Sequence, residues 1–268
     1  MELGSPRPSD LDCRPSASEK SKRKSRLLVS VRNLHEAQLA VDGGVDIVDF
    51  KEPLRGALAA CDPHVWSEAV AAFAGAGVML SAALGESESA MQVASQVPAE
   101  FTFAKAGPSG CRSGEWLQRL WDQLPVPESV ALVPVAYADH ETATTITPEE
   151  VLDAVIESGR SRLLIDTFVK DGRRLPDHLD RQRLTDILQK AQAHDVWVAL
   201  AGSVRLREKH RLEREGCFPD CWGVRGDVCD NSDRCGLIDP GKISLWRRSC
   251  RTASVVPCED ETCVSVLG

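Results

Sequence analysis

No run of apolar residues in this sequence reaches the roughly 18 that a membrane-crossing helix needs, so no membrane span is expected. The first 26 residues lack the apolar stretch of a secretory signal and are rich in Ser, Pro, Arg and Lys. Residues 1–26 therefore read as a disordered tail on a cytoplasmic protein. Aromatic side chains are scarce, at 5% with a single tyrosine. The core must rely on Val, Leu, Ile and Ala, which suits buried parallel strands. The ten cysteines include no CxxC pair, no His lies at zinc-finger spacing, and no DxD or HxH pair invites a metal, so none is expected. Cys217, Cys221, Cys229, Cys235, Cys250, Cys258 and Cys263 crowd the C-terminal part and read as reduced thiols. Residues 250–268 read as a loose Cys-containing tail in which oxidation would be easy. No GxGxxG follows the first strand, and no cofactor is expected. The net charge is −8, and the first 26 residues are net basic, so the body is acidic. That argues against nucleic acid as a partner and requires any phosphate site to be locally basic.

From Leu27 onward, short β-branched runs alternate with helical segments. The predicted strands are Leu27–Val31, Val45–Phe50, Gly77–Ala83, Phe101–Lys105, Val130–Ala136, Arg162–Asp166, Val196–Leu200 and Cys221–Val224. Asn33 caps the first helix and Gly43-Gly44 ends it. Pro148 opens another, Pro176–His194 reads as one long helix, and Pro240–Arg247 is the last. Eight strand–helix units imply an α/β fold, a single-domain (β/α)8 TIM barrel over residues 27–249. Trp66, Trp116 and Trp121 on helical faces suit either core or interface, so a homo-oligomer is left open.

In such barrels the working groups project from the C-terminal ends of the strands. Strand 2 ends in Asp49, Phe50 and Lys51, strand 4 in Lys105, and strand 6 in Asp166, with Lys170 four residues on. Tyr137 and Asp139 follow strand 5. Asp49 and Lys51 are two apart and share the barrel-facing side of strand 2, while Phe50 faces the helices. Buried charge costs several kcal/mol per ion unless paired, so such a set points to function over structure. A lysine attacking a carbonyl must be neutral, and its ordinary pKa is about 10.4. Bringing that to about 7.5 takes roughly 4 kcal/mol, which burial and neighbouring cations such as Lys105 and Lys170 can supply. Small-residue loops follow strands 7 and 8: Gly202 and Ser203 in AGS, and Arg225 and Gly226 in GVRG. Backbone N–H groups there commonly hold phosphate, and Arg225 is expected to add a bidentate contact. The expected partner is a small sugar phosphate, handled through a Schiff base on Lys51. A class I aldolase acting on another phosphorylated aldehyde, and a phosphate-binding barrel without chemistry, remain alternatives.

The motifs GGVDIVDFKEPLRGALAA, SAALGE, KAG, AYAD, LIDTFVKDGRRL, ALAGSV and WGVRGDVC, in that order, resemble the (5-formylfuran-3-yl)methyl phosphate synthase family over about Leu27 to Asp239. The resemblance implies a lyase on a (β/α)8 barrel that condenses two glyceraldehyde 3-phosphate molecules into a furan aldehyde phosphate. One phosphate and two waters are lost, and the product is the furan precursor of methanofuran. It further implies Lys51 as the Schiff-base lysine and Lys105 as a proton acceptor, with Asp49, Asp166 and Lys170 assisting. The chain departs from the pattern in both tails and in the loop DVCDNSDRCG, which replaces a more glycine-rich and basic one. Asp230 and Asp233 in that loop would weaken phosphate attraction if they faced the site.

Overall fold

The computed structural model describes residues 24–252. Nine parallel strands form one sheet in the order β5-β4-β3-β2-β1-β9-β8-β7-β6. They are β1 (Arg26–Val31), β2 (Ile47–Phe50), β3 (Met79–Glu86), β4 (Phe103–Gly107), β5 (Ala131–Leu132), β6 (Val135–Tyr137), β7 (Arg162–Asp166), β8 (Trp197–Leu200) and β9 (Cys221–Val224). The expected fifth strand, Val130–Ala136, is thus two pieces. Pro134 has no N–H to donate, and the ladder breaks there. β5 pairs with β4, and β6 pairs with β7. Across the break Val133 donates to Ala104 and Pro134 accepts from Leu164, which closes the sheet into an eight-staved barrel.

Helices α1 (Leu34–Asp42), α2 (Pro63–Phe73), α3 (Ser87–Val93) and α4 (Gly114–Gln123) cover the outside of the first half. They are followed by α5 (His140–Ala143), α6 (Pro148–Glu157), α7 (Leu175–His178), α8 (Arg181–Ala193), α9 (Leu206–Arg214) and α10 (Pro240–Arg251). The Asn33 side chain caps α1 by accepting from the Glu36 amide, and Thr147 and Glu150 form a capping box on α6. The helix expected over Pro176–His194 is broken after His178, because Asp180 accepts from the Arg183 amide and starts a new N-terminus. The last helix runs on to Arg251, so Cys250, expected in the loose tail, is instead buried under it, and burial pushes its thiol up to about 12. Cys258 and Cys263 lie outside the described residues.

Two apolar layers result. Alternate strand residues such as Leu28, Ile47, Phe103, Val135, Leu164 and Cys221 fill the barrel interior. The others meet the helices in a larger outer core that takes in Trp66 and Trp121, whereas Trp116 is exposed. Phe50 belongs to the outer layer, with its ring 5.9 Å from that of Phe101. No helix among the described residues is long and apolar enough to cross a membrane. Phe50→Ala should cost about 3–5 kcal/mol, read by urea denaturation through the neighbouring tryptophan Trp66. A cost below about 1 kcal/mol would show that the outer layer is not close-packed at this point.

Candidate active site

β1, β2, β3 and β4 bring one buried carboxylate under the barrel mouth. Ser30, Asp49 and Ser81 are register partners across three neighbouring strands. Asp49 accepts from Ser30 Oγ and Ser81 Oγ, both at 2.9 Å, and Lys105 Nζ lies 2.6 Å from its Oδ1. Asp49 and Lys105 are both buried, so this ion pair is shielded from water. A second pair forms on the other side, where Lys170 Nζ donates to Asp166 Oδ1 at 2.8 Å and to Thr167 Oγ1 at 2.9 Å. Burial pushes the Asp166 carboxyl up, but Lys170, Lys51 and the Thr167 amide outweigh it and hold the group at about 2. The loop that carries Lys170 is itself fixed by Asp139, which accepts from the Phe168 and Val169 amides at 2.6 and 2.8 Å.

Lys51 stands between the two pairs. It is 8% exposed, and its side chain makes neither an ion pair nor a hydrogen bond among the described residues. Burial lowers its pKa from 10.5 to about 8; Asp166 and Asp49 work against the shift, and Lys170 and Lys105 add to it. Lys51, Lys105, Asp166 and Lys170 line one cavity of about 240 Å³. Asp49 lies below them, fully buried.

The opposite wall of the same cavity is made by Gly202, Ser203, Val204, Arg225 and Gly226. Gly202 has φ +93°, and a Cβ there would come within 3.1 Å of both Leu175 and Thr167, so only glycine fits. The amides of Gly202, Ser203 and Val204 donate to no protein oxygen among the described residues, leaving them open to a ligand. Arg225 corrects one expectation. Its Nε donates to the Arg234 carbonyl, Nη1 to the Ser30 carbonyl and Glu36, and Nη2 to Glu36 and the Gly236 carbonyl. All five donors are committed, so Arg225 cannot also fork a phosphate. Arg225 and Arg32 together hold the Glu36 carboxyl below its usual value in spite of burial. Arg225 therefore fixes the loop instead of the ligand.

Two further features were not found from sequence. Ser30 and Ser81 are small polar residues at inward positions of otherwise apolar strands, a signal that was there to read. Glu86, at the end of β3, accepts from Tyr137 Oη at 2.6 Å and from the Ser109 amide at 3.1 Å. Gly107 makes room for it, since a Cβ there would lie 2.1 Å from the carboxylate. Burial pushes both Glu86 and Tyr137 up. The loop after β2 packs down on the mouth, with Ala57 and Leu58 joining the interior layer, and Arg234 reaches across to it. Of the two loop aspartates, Asp233 lines the cavity and accepts from the Cys235 amide at 2.9 Å, while Asp230 is exposed and lies outside it.

Holding a charged lysine here costs stability. The gap between about 8 and 10.5 corresponds to roughly 3 kcal/mol. The folded protein binds fewer protons than the unfolded chain between those values. Stability should therefore be lowest below about pH 8 and rise toward about 10.5. Lys51→Met should raise stability at pH 7 by up to roughly 3 kcal/mol in urea denaturation and flatten that rise. Glu36→Ala should do the reverse, costing about 3–5 kcal/mol by stranding the buried Arg225. A Lys51→Met protein less stable than the parent would contradict this electrostatic picture.

Solved structures with a similar fold include phosphoribosyl anthranilate isomerase from Thermotoga maritima, with a TM-score of 0.58 and 16% identity. KGPDC from Streptococcus mutans gives a TM-score of 0.59 and 13% identity. Each comparison covers 85% of this chain and 98% of the other, and at these identities they establish the fold alone. Among sequences, the (5-formylfuran-3-yl)methyl phosphate synthase of Methanococcus maripaludis is 30% identical over 84% of this chain and 99% of its own. That of Methanopyrus kandleri is 31% identical over 78% of this chain and 91% of its own. The family described as 4-HFC-P synthase matches residues 27–247, the whole barrel with its site, and the chain belongs to that family of enzymes.

Proposed function

We propose that this enzyme makes (5-formylfuran-3-yl)methyl phosphate from two molecules of glyceraldehyde 3-phosphate through an imine on Lys51. The observation that carries this reading is the state of Lys51: a buried amine, with no ion pair among the described residues, set between two ion pairs and lowered to about 8. Near neutral pH such a lysine has a usable neutral fraction, which an ordinary surface lysine lacks.

The neutral amine of Lys51 adds to the triose aldehyde to give a carbinolamine. The ammonium of Lys105 donates a proton to the carbinolamine hydroxyl, which leaves as water and gives the iminium. Neutral Lys105 then takes the proton from the carbon next to the iminium, giving an enamine and regenerating its own ammonium. One proton thus cycles on Lys105, and Asp49 holds that side chain in place throughout. The enamine carbon attacks the carbonyl of the second triose, and the Asp166–Lys170 pair serves the later proton transfers and the departure of phosphate. Overall, two triose phosphates give one furan phosphate, one phosphate and two waters. The open amides of Gly202, Ser203 and Val204, with Gly226 beside them, suit a phosphate of the substrate. The product is the furan unit of methanofuran-type one-carbon carriers.

Glyceraldehyde 3-phosphate as the only substrate should yield a strong near-ultraviolet furan absorbance. A plain aldol product would not absorb there. Borohydride added during turnover should place a covalent adduct on Lys51, located by peptide mass mapping. Lys51→Ala should lose essentially all turnover, at least about 10³-fold. Full activity in that variant would overturn the reading.

A further inference from the structure

The charges around the cavity do not balance among the protein's own groups. Lys105 is matched by Asp49 and Lys170 by Asp166. Of the other cations that line the cavity besides Arg225, Arg174 pairs with Glu208, and Lys51, Arg205 and Arg234 have no ion pair among the described residues. The Arg234 side chain makes one hydrogen bond, from Nη2 to the Gly56 carbonyl at 2.7 Å, and its other donors meet no acceptor among the described residues. The contrast with Arg225, whose five donors are all taken, is direct. Arg234 is half-buried, and burial pushes its guanidinium below the ordinary value, with Asp166 pulling the other way. Asp227 and Asp233 are the remaining carboxylates on the cavity wall; Asp227 Oδ2 accepts from the Leu206 amide and Trp246 Nε1, and Asp233 Oδ1 accepts from the Cys235 amide.

The position of Arg234 is set from both ends. Its carbonyl accepts from Arg225 Nε at 2.8 Å, so its backbone stands on the Arg225–Glu36 pair. Its side chain ends at the Gly56 carbonyl, on the loop that begins at Lys51. The guanidinium therefore spans the mouth from the β9 side to the β2 side. The open amides of Gly202–Val204 lie on the wall after β8 and can hold one phosphate. A reaction between two triose phosphates brings a second one into the same cavity, and a desolvated guanidinium with open donors suits a phosphate dianion.

We propose that Arg234 binds the phosphate of the second triose phosphate, the one that meets the Lys51-bound first, and so sets the enzyme's requirement for a phosphorylated acceptor. This rests on the reading of Lys51 given above for the chemistry, but not for the existence of a second anion site.

Two measurements on the full chain test it. The first compares the parent with Arg234→Ala and Arg234→Lys. Trapping of glyceraldehyde 3-phosphate on Lys51 by borohydride reports the first molecule, and the steady-state rate of furan formation reports both. In Arg234→Ala the concentration for half-maximal trapping should stay within about twofold. The concentration for half-maximal turnover should rise about tenfold or more, with Arg234→Lys between the two. An unchanged turnover curve, or a trapping curve that moves by the same factor, would overturn the proposal. The second measurement needs no chemistry. Calorimetric titration with inorganic phosphate should find two sites in the parent and one in Arg234→Ala. An equal number of sites in both would overturn the proposal, whatever the outcome for Lys51. Absence of a Lys51 adduct in the parent, with two phosphate sites present, would overturn the imine reading and leave the anion site standing.

Discussion

The ion pair between Asp49 and Lys105 is the interaction on which the rest of the site depends. Asp49 is fully buried, and three donors from three neighbouring strands converge on it. Because its charge is committed to Lys105, it cannot act as a close counter-ion for Lys51, two residues along the same strand. Asp166 is committed in the same way to Lys170. Of the three lysines at the strand ends, two are paired with these aspartates, and Lys51 is the one that makes no ion pair among the described residues. Desolvation then outweighs the opposing pull of Asp166 and Asp49, and the result is an amine at about 8.

The barrel makes this arrangement cheap to hold. Parallel register puts Ser30, Asp49 and Ser81 level with one another, so the carboxylate meets its donors without any loop having to fold around it. Loops carry the remaining parts, and each is fixed by a buried or partly buried charge. Asp139 ties down the Lys170 loop through two amides, and the Glu36–Arg225 pair ties down the loops after β9. Gly202 lets the loop after β8 press against Thr167 and Leu175, which sets the amide wall opposite the lysines.

Much of this was legible in the sequence. Alternation of short apolar runs with helical segments revealed eight staves, and the two-residue spacing of Asp49 and Lys51 put both on the inner face. Lys105, Asp166 and Lys170 followed from their places at strand ends. What was missed divides into two kinds. Some signals were local and passed over: Pro134 inside a strand, Asp180 as a cap inside a helix, and serines at inward positions. Others had no local signal. Arg225 sits where a phosphate ligand belongs, but Glu36, 189 residues earlier, occupies its guanidinium. Arg234 lies in a loop between aspartates, where nothing in the neighbouring residues reveals that its side chain crosses the mouth. Long-range pairing decides which of two similar arginines is free, and one-dimensional pattern does not contain it.

The electrostatic isolation of Lys51 is the central claim, and its titration tests it most directly. The rate of imine formation with glyceraldehyde 3-phosphate under borohydride should rise with pH and level off with a midpoint near 8. In Lys170→Met the midpoint should move upward, because a repelling cation is gone and Asp166 is freed to stabilise the Lys51 ammonium. A midpoint near 10.5 in the parent, or one that stays in place or falls in Lys170→Met, would contradict the account.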